Sequence, residues 1–277
     1  MKHKIALLAD VHGNTTALQA VIEDSIEQGA TAYWFLGDLL LPGPGSSDLF
    51  KLLKQVHTDV YIRGNWEDYF LHSISEEIDI TDPTAIYLAT LAHHIYPNMT
   101  LQDIQALKSW PISTVKEVSG LKIGISHNLP CHNNGDFLFP TTKQKNFDAL
   151  FTDNTLDIAV YAHVHHPMLR YSSQEQLIIN PGSIGQPLCS WPPLQMDLRA
   201  QYAILEIDAY GYTHIDFRKV DYDRQKELLI AQKSRLPYID LYQEILQVGI
   251  RHTHDKELLE EINDYYGYKK RVSRMFT

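Results

Sequence analysis

KIALLADVHGN, residues 4–14, runs from a short apolar stretch directly into Asp10 and His12. Ile5 to Ala9 reads as a buried strand. The segment NTTALQAVIEDSIEQG (14–29) then places Leu18, Val21, Ile22 and Ile26 at helical spacing, with Asn14 or Thr15 able to cap its start and Gly29 its end. AYWFLGD (32–38) is a second strand, SSDLFKLLKQV (46–56) a second helix and DVYIRGN (59–65) a third strand. This β-α-β-α-β order predicts a largely parallel sheet in an α/β fold.

Working outward, residues 66 to about 110 break the rhythm. Helical patterns in TAIYLATLAHHIY (84–96) and TLQDIQALKSW (100–110) mark a helical insertion. STVKEVSGLKIGISH (113–127) reads as strand, glycine turn and strand, and LDIAVYAH (156–163) as another buried strand. MLRYSSQEQLIINPGS (168–183) gives two short strands, and AQYAILEIDAYGYTHIDFRKVDYD (200–223) a hairpin turning near Gly211. From about 223 the pattern is helical. The expected organisation is one catalytic domain over 1–222, carrying the insertion at about 66–110, with a helical extension over 223–277 packed on it.

Composition bounds the function. Of 277 residues 44% are hydrophobic and 21% charged, and no apolar run approaches the ~18 residues of a membrane span, so no membrane partner is expected. MKHKIALLAD has the basic start of a signal peptide, but Asp10 ends the apolar run too early. With only Cys131 and Cys189, a disulfide framework is not expected and the reducing cytoplasm is the default compartment. The formal charge of −10 opposes binding to long nucleic acids. A small anionic substrate would need local cations, which bound metals could supply. Whether the chain forms a homo-oligomer is left open.

Five strands end alike: Asp10 and His12, Asp38, Asn65, His127, then His163 and His165. Ligands of open α/β sheets collect beyond the carboxyl ends of the strands, so these residues can converge although they span more than half the chain. Singly, each has an ordinary reading. Gly-Asp makes a turn or helix cap, Asn65 a left-handed turn residue, and His127 a hydrogen-bonded core or loop histidine. Together, carboxylate, imidazole and amide donors without thiolate suit manganese, iron, zinc or related ions, and seven donors are too many for one.

The ordered motifs Asp-x-His, Gly-Asp, Gly-Asn, His and His-x-His resemble those of the calcineurin-like metallophosphoesterase family. That resemblance implies a four-layer α/β/β/α sandwich with two mixed sheets. It also implies two transition metals, Mn and/or Fe with Zn, Ni or Co as alternatives. Asp10, His12, Asp38 and His165 would hold one, and Asp38, Asn65, His127 and His163 the other, with a bridging hydroxide attacking phosphorus in line. Asp38, His127 and His163 would then be the catalytic residues. GNWED (64–68) and NPGSIGQP (180–187) resemble a small bacterial phosphodiesterase and asymmetric dinucleoside tetraphosphatase subgroup. The implied substrate is a phosphodiester or nucleotide phosphoanhydride, with diadenosine tetraphosphate one example. A phosphomonoesterase, a nuclease or a non-catalytic scaffold of the same fold are the alternatives.

The departures are specific. GDLLLPGPG (37–45) is not followed by the Asp-Arg-Gly of protein phosphatases, which argues against protein substrates. Trp66 replaces the histidine usually credited with protonating the leaving group, and Asn128 a frequent glycine. Asn14, Asn65, Trp66, His132 and His166 are candidate substrate contacts. His93, His94, His252 and His254 read as surface residues, and Arg63 and Arg170 as members of surface ion pairs.

Overall fold

The computed structural model describes residues 2–153, 155–189 and 191–274. Its strands are β1 (His3–Leu8), β2 (Ala32–Phe35), β3 (Val60–Tyr61), β4 (Ser113–Val118), β5 (Leu121–Ser126), β6 (Ile158–Val160), β7 (Met168–Tyr171), β8 (Leu177–Asn180), β9 (Ala200–Asp208) and β10 (Gly211–Val220). The helices are α1 (Thr15–Glu27), α2 (Ser47–Gln55), α3 (Asn65–Ser75), α4 (Pro83–Ile95), α5 (Leu101–Ser109), α6 (Gln144–Asp148), α7 (Pro192–Gln195), α8 (Arg224–Ser234), α9 (Ile239–Val248), α10 (Lys256–Tyr266) and α11 (Tyr268–Ser273). Among the described residues no helix is long and apolar enough to cross a membrane.

The strands form two mixed sheets, ordered β10-β9-β1-β2-β3 and β4-β5-β6-β8-β7. In the first, β1, β2 and β3 are parallel and the β9–β10 hairpin closes one side antiparallel. In the second, β5, β6 and β8 are parallel, with β4 and β7 antiparallel at the edges. Alternation along β1 explains its unbroken apolar sequence. Ile5 and Leu7 face the second sheet, whereas Ala6 and Leu8 face the helices. A strand buried on both sides has no place for a polar residue.

One apolar cluster lies between the sheets, where Leu7, Leu36 and Leu205 meet Ile125, Val160 and Ile179. A larger one joins the outer face of the first sheet to its helices. A thinner layer covers the second sheet, with Leu138, Phe147 and Leu150 against Tyr161 and Ile178. The result is the expected α/β/β/α sandwich with unequal outer layers.

One feature differs from the sequence reading. A helix was not foreseen in 65–75, yet α3 starts at Asn65 itself. The sequence also left open what the 66–110 segment packs on: α3 packs on α4, and α10 and α11 of the tail pack on α4. Insertion and tail thus share one helical layer, because the apolar faces of both need the same cover.

Candidate metal centre

Beyond the ends of the central strands the chain turns sharply. Asp10, His12, Asp38, His163 and His165 all have positive φ, between 52° and 67°. This left-handed conformation costs non-glycine residues roughly 1–2 kcal/mol each, and the strain persists because the surrounding loops interlock. Asp10 N–H donates to the Gly37 carbonyl, and His12 N–H to that of Asp38, each at 3.0 Å. From the other side, Ile184 and Gly185 N–H donate to the Ala9 and Asp10 carbonyls at 3.0 and 2.9 Å. Ser183 Oγ adds a bond to the Asp10 carbonyl at 2.9 Å. The NPGSIGQP run is therefore a brace behind Asp10. Close approach dictates two of the glycines: a Cβ at Gly64 would lie 2.1 Å from Asp38 Oδ1, and one at Gly185 2.0 Å from the Val11 carbonyl oxygen.

The side chains form two adjoining groups, Asp10 with His12 and His165, and Asp38 with His127 and His163. Within each, the donor atoms lie within 4.8 Å of one another. Asp38 reaches both. Its Oδ2 is 3.2 Å from His127 Nε2 and 3.8 Å from His12 Nε2. Asn65 Oδ1 joins the second group at 3.2 Å from His127 Nε2. All seven sequence candidates are thus brought together.

Their hydrogen bonding leaves donor atoms free for cations. Nδ1 of His12, His127 and His165 pairs with the carbonyls of Leu41 (2.9 Å), Leu36 (2.7 Å) and Gln186 (2.6 Å). A carbonyl requires N–H opposite it, so His12 and His165, when neutral, turn an Nε2 lone pair inward, and His127 does so once its Nε2 proton is displaced. His12 and His165 Nε2 consequently face each other at 3.1 Å. An ion between them would relieve that repulsion. Both Asp10 carboxylate oxygens and His163 Nδ1 are buried without a hydrogen-bond partner, which such an ion would also supply. The residues fit a two-metal centre.

The electrostatics agree. Burial pushes His12 and His163 down to about 4 and His165 well below its usual value, so these imidazoles stay neutral. Burial also raises the Asp10 carboxyl, with Asp38 adding repulsion and His127 opposing it. At His127 burial works against charge, but the Asp38 carboxylate and Asp10 prevail and push it up to about 9. Two carboxylates in a buried site call for compensating cations. Manganese at a thousand times its Kd should stabilise the protein by about 4 kcal/mol per ion, roughly 8 °C or more in Tm. A melting curve unmoved by Mn, Fe, Zn, Ni or Co would sink the metal assignment.

The centre opens into a cavity of about 690 Å³. Asn65 and Trp66 line it, and the Trp66 ring packs edge-on against His12 with centroids 5.2 Å apart. Three other candidate contacts are not on its wall. Asn14 is fully committed, accepting from Ala17 N–H as the cap of α1 and donating to Tyr222 Oη. His132 stacks edge-on with Phe137, and His166 with Phe139.

Several functional positions were missed. Glu67 is fully buried, and its carboxylate accepts the backbone N–H groups of Asp38 (2.8 Å), Leu39 (2.7 Å), Leu40 (3.3 Å) and Gly64 (2.9 Å). Asp68 pairs with Arg63 at 2.9 Å and accepts from Asn133 at 2.7 Å. Asn128 donates to the carbonyls of Asn134 and Gly135, fixing one wall of the cavity. The tail contributes Arg251, Thr253 and His254. His254, read from sequence as a solvated surface residue, is on the cavity wall.

Residues 3–210 match the model of the calcineurin-like phosphoesterase superfamily domain. The chain belongs to that superfamily. A relative from Methanocaldococcus jannaschii, the uncharacterized protein MJ0912, is 24% identical over 86% of this chain and 95% of its own length. The fold matches the hypothetical protein PH1004 of Pyrococcus horikoshii with a TM-score of 0.72 and 21% identity, over 90% of this chain and 99% of that one. It also matches a metallophosphoesterase from Sphaerobacter thermophilus with a TM-score of 0.67 and 22% identity, over 89% of this chain and all of that one. Membership makes this chain a metal-dependent phosphoesterase by family, and the paired donor groups are its candidate metal sites.

Proposed function

We propose that this protein is a dinuclear-metal phosphodiesterase acting on phosphodiesters or nucleotide phosphoanhydrides, with asymmetric cleavage of dinucleoside tetraphosphates included. The observation that carries this reading is Asp38 Oδ2 standing between two buried donor groups at the floor of one cavity. Asp10, His12, Asp38 and His165 would hold one ion; Asp38, Asn65, His127 and His163 the other. Mn and/or Fe fit these hard and borderline donors, with Zn, Ni or Co alternatives. When bound, the pair supplies Lewis acidity toward phosphoryl oxygens and an acidified water as nucleophile. Asp38, His127 and His163 are the catalytic residues on this reading. The helical extension over 223–277 is taken as part of the working enzyme, since its loop reaches the cavity. The cytoplasm is the proposed compartment.

Substrate preference follows from two further observations. Tyr69, Thr253 and His254 also border a second cavity of about 280 Å³, walled by Ile78, Ala85 and Leu88, which suits an organic group attached to phosphate. Trp66 stands where a proton donor would be useful, and its indole N–H cannot act as an acid at neutral pH. Leaving groups that are already stable anions need no such proton. A panel of monoesters, diesters and dinucleoside polyphosphates with defined metals tests the reading, and preference for monoesters would overturn it.

Wild-type rates on aryl and alkyl diesters should fall steeply as the leaving-group pKa rises. Trp66→His should selectively speed the poor leaving groups, by up to the ~10²–10⁴-fold typical of general acid catalysis. A flat wild-type dependence with chemistry rate-limiting would mean that another residue donates the proton.

A further inference from the structure

The loop between α9 and α10 brings one cation to the cleft. Gly249, at φ 73°, ends α9 in a left-handed turn. His252 then pins the loop, pairing with Glu244 at 2.8 Å and Asp255 at 3.6 Å. Between these anchors Arg251 also borders a small cavity with Gly185, Gln186, Pro187 and Ile245, so its stem has a fixed bed. It lines the metal cleft as well, on the side of Gln186, whose carbonyl orients His165.

Arg251 makes no hydrogen bond or ion pair among the described residues. Its side chain is exposed within the cleft, yet the walls work against its charge and Asp10 offsets them. Two metal ions would engage Asp10 and remove that offset; Asp136 and Asp255 also line the cleft, but neither pairs with the guanidinium among the described residues. A guanidinium presents paired N–H donors matched to a phosphate. On the proposed mechanism the phosphoryl group under attack would sit near Asp38, where both donor groups meet. Arg251 lines the same cleft as His12, Asp38 and His165, and borders Gln186 in the adjoining small cavity.

We propose that Arg251 binds a phosphate adjacent to the one being hydrolysed, so that the cleft selects nucleotides carrying two or more linked phosphates. This rests on the phosphoesterase reading above and names its substrate class. It also gives the helical tail a part in recognition.

The test compares binding of a methylene-bridged, non-hydrolysable adenosine diphosphate with that of adenosine monophosphate. Calorimetry on the full-length, manganese-loaded protein, at constant free Mn, makes the base contacts cancel. Wild type should favour the diphosphate, and Arg251→Met, which keeps an apolar stem in its bed, should reduce that ratio roughly 10–100-fold, as for a lost charge-assisted hydrogen bond. Arg251→Lys should recover part of it, which a packing role would not produce. A ratio unchanged in Arg251→Met, or a lysine variant no better than methionine, overturns the proposal. Absence of wild-type turnover on every phosphoester would instead sink the functional reading, and that assay is scored separately from the binding ratio.

Discussion

Asp38→Ala should lower turnover at saturating manganese by roughly 10³-fold or more, as expected when several kcal/mol of metal-derived stabilisation is lost. Asp38 Oδ2 is the carboxylate oxygen close to both His12 and His127, so its loss disturbs both donor groups. It also removes the acceptor for Trp66 N–H at the start of α3. Asn65→Ala removes one amide oxygen from one group and should cost no more than roughly 10²-fold. Metal analysis separates the two, with Asp38→Ala depleted in both ions and Asn65→Ala in at most one. Equal, mild losses with full metal content would refute a dinuclear mechanism.

The second large effect concerns stability. Glu67→Ala would orphan four backbone N–H donors in the loops that hold Asp38 and Asn65. An unsatisfied buried donor costs about 1–3 kcal/mol. Part of this is offset, because burial and the nearby Asp38 charge already push the Glu67 carboxyl up to about 7. A net loss on the order of 4 kcal/mol remains, a large share of typical domain stability. Glu67→Gln should be nearly as damaging, since its NH₂ would face N–H donors. Urea denaturation of the metal-free variants measures this, and a loss under about 1 kcal/mol for both would show that water replaces the carboxylate.

These two residues differ in how visible they were before folding. Asp38 ends a strand in a chain of alternating strands and helices. Strands joined by β-α-β crossovers run parallel, so their carboxyl ends lie on one edge, and a metal-binding residue at each end announces a common site. Glu67 carries no such mark. Its partners lie up to 29 residues away, and only the docking of α3 against the Gly37–Leu40 loop brings them together.

Local periodicity thus determined the strands of the first sheet, and donor chemistry the seven candidate ligands, because each is written within a few consecutive residues; the two-sheet architecture was implied only by the resemblance that the ordered motifs carry. The tertiary structure decided which other polar side chains remained available. Asn14 was claimed by the α1 cap, and His132 and His166 by aromatic neighbours. It also carried Arg251 and His254 from the far end of the chain to the cleft. That placement depends on the apolar faces of α8–α11 finding cover on α1 and α4. Hydrophobic burial is non-directional, so no local pattern in the tail records where on the molecule it will be satisfied.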